Sequence, residues 1–173
     1  MEEHLTFKGI PINGAPEEIS KQLQAHGFVQ AEVFQNGSIC LDGTFAAVEN
    51  CIIVINYSKL VETTWAITVW FPEQDSWFSL QDQYQRFKDM FIKKYGRPEK
   101  DFEFFMPPYE DGDGDELSAL KSDYVTYMSF FYTDLGVITV ELDTSCCLKI
   151  TYEDKFNSDL VSKQRESVAN EDI

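Results

Sequence analysis

A change of period constrains this chain more than any other feature. Leu80, Tyr84, Phe87, Phe91 and Tyr95 recur at spacings of four, three, four and four, which is one face of a helix, and Gly96 and Pro98 stop it. Downstream the period falls to two in Tyr124 to Tyr132, Val137 to Leu142 and Leu148 to Tyr152. Turns around Asp134-Leu135-Gly136 and Asp143-Thr144-Ser145 join these runs. Turns that short permit only antiparallel neighbours. The second helix is expected to start at Ser79, with Asp82 completing a variant capping box.

The same order occurs upstream. A helix opens at Pro16, where the missing N–H costs nothing, with Glu17 and Glu18 against the positive end of its dipole. Ile19 and Leu23 form its apolar stripe, and Gly27 ends it after His26. Strands follow at Val29 to Phe34, Ile39 to Phe45, Ile52 to Tyr57 and Trp65 to Phe71; Asp101 to Met106 is a further candidate. Asn36-Gly37 reads as a two-residue hairpin turn with positive φ at both positions. The fold class is therefore α+β: an antiparallel sheet of about eight strands with two helices on one face, as a tandem α-β-β-β-β repeat. A single domain is expected over residues 1–156, with pseudo-repeats at about 5–72 and 73–156. A loose polar tail or one frayed helical turn is expected over 157–173.

Charge narrows the partners. Acidic residues outnumber basic ones 30 to 14, a net charge of −16, and phosphate backbones require the opposite sign, so nucleic acid is not an expected partner. No apolar run approaches the ~20 residues of a spanning helix, so no membrane partner is expected. Met1-Glu2-Glu3-His4 lacks a basic n-region and apolar h-region, giving a cytoplasmic expectation. Cys40, Cys51, Cys146 and Cys147 have no Cys-x-x-Cys spacing and read as reduced thiols acting as small hydrophobes.

Several runs carry a resemblance. Phe7-Lys8-Gly9-Ile10-Pro11-Ile12-Asn13-Gly14, His26-Gly27-Phe28, Tyr84-Gln85-Arg86-Phe87 and Lys94-Tyr95-Gly96-Arg97-Pro98 resemble an uncharacterised family of small gut-bacterial α+β proteins, over most of residues 5–155. The tandem helix-plus-four-strand order is similar in layout to β-lactamase inhibitory protein and to the small lipoprotein of the outer-membrane barrel-assembly machinery. The resemblance implies protein binding through a sheet face or loop.

Candidate chemistry is sparse. Glu110-Asp111-Gly112-Asp113-Gly114-Asp115-Glu116 spaces carboxylates as calcium prefers, making Asp111, Asp113 and Asp115 a weak calcium candidate beside the plainer reading of a solvated acidic loop. An EF-hand from Asp111 needs glycine sixth and glutamate twelfth, where this chain has Glu116 and Ser122. With two histidines and no nucleophile or phosphate-loop motif, no catalytic residue, cofactor or resident metal is assigned. From Glu99 to Asp123, nine acidic residues face two basic ones, an acidic flap suited to steering a basic partner. If the helices cover Ile67, Val69, Phe130, Ile138, Val140, Leu148 and Ile150, the opposite face presents Trp70, Tyr127 and Phe131 as anchors for another protein. The leading expectation is a non-catalytic binding or scaffold module, with a homo-oligomer possible. The alternatives are an acidic immunity-type inhibitor of a basic toxin and a hydrolase of unrecognised type.

Overall fold

The computed structural model describes residues 2–173. In chain order the elements are β1 (Thr6–Phe7), β2 (Ile10–Pro11), α1 (Pro16–Ala25), β3 (Val29–Val33), β4 (Ile39–Phe45), β5 (Val48–Ser58), β6 (Thr63–Trp70), α2 (Trp77–Tyr95), β7 (Lys100–Phe105), α3 (Glu116–Lys121), β8 (Val125–Thr133), β9 (Gly136–Asp143), β10 (Cys147–Asp154) and α4 (Lys155–Asp172). β1 and β2 form a small hairpin. The other eight strands form one antiparallel sheet in the order β3-β4-β5-β6-β10-β9-β8-β7, so the fold class is α+β as its periods require. Strands β3 and β7 are its edges. Among the described residues no helix is long and apolar enough to cross a membrane.

The chain divides into two compact units. The first comprises Met1–Val69, Asp134–Val137 and Thr151–Ile173; the second comprises Trp70–Thr133 and Ile138–Ile150. In the first unit α1 buries Ile19 and Leu23 on the side of Leu41, Ile53 and Ile55, as its stripe anticipated. The turn before β4 departs from expectation. Only Gly37 has positive φ, the Gly37 amide donates to Phe34 O, and the Phe34 amide donates to Ser38 O. That is a three-residue turn closed by a glycine bulge, and Asn36 contributes its side-chain oxygen to the Ser38 amide instead of a left-handed backbone.

The expected loose tail is the helix α4. Its N-cap Asp154 is fully buried: one carboxylate oxygen accepts from the Leu5 amide at 2.8 Å, the other from the Asn157 amide at 2.9 Å. His4 Nδ1 also lies 2.9 Å from that carboxylate. The Asn157 amide group donates to Ile12 O, Asn13 Oδ1 and Thr64 O. Among its own residues α4 buries only Asn157 and Val161, so anchorage comes from a cap and a polar side chain, which a search for an apolar stripe overlooks.

In the second unit α2 starts three residues earlier than the capping box at Ser79 predicts, because Ser76 is the N-cap and accepts from the Ser79 amide at 3.2 Å. Its stripe packs aromatic on aromatic: Phe87 against Phe71 (4.8 Å between centroids), Phe91 against Phe131 (5.6 Å) and Tyr84 against Tyr127 (5.4 Å). The acidic loop closes into the short α3, which was not expected and which buries Ala119 and Leu120.

Candidate functional site

The β7–β8 ladder decides which side chains are available. Asp101, Glu103 and Phe105 sit opposite Ser129, Tyr127 and Val125, while Lys100, Phe102 and Phe104 sit opposite Phe130, Met128 and Thr126. Paired residues in an antiparallel ladder share a face. The first set faces α2, because Tyr84 and Lys88 reach it. Tyr127 and Phe131 therefore lie beneath α2, 5% and 1% exposed, and the expectation that they form an open surface is overturned. Strand β8 carries large apolar residues on both parities, so alternation alone does not say which set faces the helix. Trp70 remains half-buried, with the Lys149 ammonium 4.7 Å from its ring centroid.

Under α2, Lys88 is the centre of a polar cluster. Its ammonium donates to Asp101 Oδ1 and Oδ2 at 2.8 and 2.7 Å and to Glu103 Oε2 at 2.7 Å. Ser129 Oγ donates to Asp101 Oδ1 at 3.1 Å and shares a 2.6 Å bond with the Tyr84 hydroxyl. Burial pushes the Lys88 ammonium down, but hydrogen bonds and charge from Asp101 and Glu103 outweigh it, and the group is held above its ordinary value. Burial, with smaller contributions from Glu103, Asp101 and Tyr127, drives the Tyr84 phenol well above its usual range against the Ser129 bond. Lys88 and Tyr84 of α2 thus hold Asp101 and Glu103 of β7 and Ser129 of β8, and the cluster fixes β7 and β8 to α2.

Beside the cluster lies an open cleft of about 390 Å³, lined by Glu103, Phe104, Phe105, Pro107, Tyr109, Glu110, Asp111 and Tyr127. Tyr127 accepts from Gln81 Nε2 at 3.3 Å; burial first, then the Asp111 and Glu103 charges, push its phenol up. Aromatic faces flanked by carboxylates attract cations and repel anions. The loop wall is held from within. Asp113 accepts from the Glu110 and Asp115 amides at 2.9 and 2.8 Å, and those bonds hold its carboxyl below the usual value. Both its oxygens are thereby engaged, and among the described residues no three His, Cys, Asp or Glu side chains converge to hold a metal ion. Asp113 thus ties the acidic turn together through the Glu110 and Asp115 amides, and only Asp111 of the three calcium candidates lines the cleft, so Asp111, Asp113 and Asp115 are not gathered about one point.

On the other face of β7 and β8, Phe102 and Phe104 are 41% and 44% exposed, and Tyr132 is 48% exposed. Phe130 joins them, 6.5 Å from Phe102 and 6.4 Å from Tyr132 between centroids. An aromatic sheet face does exist, but it is made of the opposite parity of β8 together with β7. The signal was present in Asp101-Phe102-Glu103-Phe104, a strict alternation of acid and aromatic. What sequence reasoning missed was Lys88, an interior helix lysine with nothing local to mark it. No protein-family model, curated protein or solved structure matches the chain.

Proposed function

We propose that the chain is a non-catalytic protein-binding module that takes a basic partner at the β7–β8 end of its second unit. One observation carries this reading: exposed aromatic side chains on an edge strand adjoin an acidic, aromatic-walled cleft. Apolar area of this kind supplies affinity, and the carboxylates select the sign of the partner's charge and speed encounter. A small acidic inhibitor of a basic toxin is the narrower form of the same reading, favoured by the same placement of charge.

The test is affinity capture from native extract with three baits: the wild type, Phe102→Ser/Phe104→Ser, and Glu110→Lys/Asp111→Lys. Basic proteins enriched by the wild type and lost from both variants support the reading. An identical captured set from all three baits removes it.

A further inference from the structure

We infer, resting on that reading, that the partner docks by adding an extended basic segment to β7 as a ninth, antiparallel strand. The phase of the β7–β8 ladder assigns the free groups. The Met106 amide donates to Tyr124 O at 2.8 Å, and hydrogen-bonded pairs recur at every second residue, so Phe102 and Phe104 also bond toward β8, while at the start of the strand the Glu99 amide donates to Phe130 O at 2.9 Å. The backbone N–H and C=O groups of Asp101, Glu103 and Phe105 therefore point outward, and among the described residues no strand pairs with them. The opposite edge is less suited. Strand β3 breaks register between Gln30 and Glu32, and a bulge of this kind disrupts a template for pairing.

Charge chooses the occupant. Residues directly opposite Asp101 and Glu103 on an added antiparallel strand would share their face and meet two carboxylates answered by the single Lys88 ammonium, with Glu110 and Asp111 beyond. Residues opposite Phe102 would meet the aromatic face. The segment that fits alternates arginine or lysine with a β-branched or aromatic residue. A second copy of this chain, itself at −16, fits poorly.

The probe is a blocked ten-residue peptide of alternating arginine and valine, titrated against the full chain at low salt. In antiparallel pairing the arginines opposite Asp101 and Glu103 exchange backbone bonds with them, while the valine amides point to solvent. N-methylation of the arginine amides is then expected to weaken binding about tenfold per blocked bond, and N-methylation of the valine amides to leave it within about twofold. Slowed hydrogen exchange at the Asp101, Glu103 and Phe105 amides is the accompanying result. Equal tolerance of both methylation patterns, loss confined to the valine set, or no binding of the unmodified peptide would overturn strand addition. So would sedimentation of the free chain as a dimer that the peptide dissociates. Capture of basic proteins that is lost in Glu110→Lys/Asp111→Lys, alongside any of those outcomes, would leave the broader reading standing and remove only this one.

Discussion

Replacing Lys88 with methionine isolates what its ammonium does, because the thioether chain retains the buried stem beside the Tyr84 ring. The ammonium makes three charge-assisted bonds of 2.7–2.8 Å from a side chain only 7% exposed. Its partners are less enclosed, at 39% and 35% for Asp101 and Glu103. Removing one member of a wholly buried pair costs about 3–5 kcal/mol, but carboxylates that reach water recover part of that. Both carboxylates bond the one ammonium, so their bonded oxygens lie at most about 5.5 Å apart, and their unmasked repulsion is about 0.8 kcal/mol in a water-like dielectric and about 3 kcal/mol at an effective dielectric near 20. Taking about 1 kcal/mol for repulsion and about 1 kcal/mol for net lost hydrogen bonding gives about 2 kcal/mol. For a chain of 173 residues that lowers Tm by about 4–8 °C. Calorimetry on Lys88→Met and on Lys88→Met/Asp101→Asn/Glu103→Gln checks it, because neutralising the orphaned acids should restore at least half of the loss. A single variant melting within about 1 °C of wild type, or a triple variant no more stable than the single, refutes the reasoning.

Three further outcomes follow from the geometry. Burial, and secondarily the Asp143 charge, hold the Glu141 carboxyl above its usual value despite Lys149. Its contribution to stability is therefore complete below the ordinary glutamate pKa and is lost as pH rises through the elevated one, so Glu141→Gln should raise Tm at pH 7 and lose that advantage in acid, read by melting at both pH values. Asp154→Ala removes a helix cap and strands the buried Leu5 amide, costing about 2–4 kcal/mol, while Asp154→Asn should cost less; hydrogen exchange at the start of α4 reports it. Gly136→Ala places its Cβ 2.1 Å from Glu153 O, a backbone atom that cannot step aside, and a loss of about 3 kcal/mol is expected in denaturant titration.

The sequence made the sheet legible because its strands are bounded by turns and their buried faces alternate; Ile138, Val140, Leu148 and Ile150 are all fully buried, whereas Phe130, expected to be covered with them, lies on the face turned away from α2. Strand β8 was readable as a strand and unreadable in phase. Tyr127 and Phe131 on one face match Phe130 and Tyr132 on the other in bulk, and the polar Ser129 belongs to the buried set because Tyr84 and Asp101 satisfy it. Polarity at a single position is a poor guide when its partner lies 45 residues away. Helix α4 was illegible for a related reason. Its anchor, Asn157, is a side chain that propensity scales treat as a helix breaker, yet it donates to segments 93 and 145 positions distant.

The interleaving of the two units along the chain has a consequence for truncation. The stretch Thr151–Ile173 supplies Asp154 and Asn157 to Leu5, Ile12 and Thr64, all within the first unit. Truncation from the carboxyl end should therefore injure the amino-terminal hairpin before it touches α2.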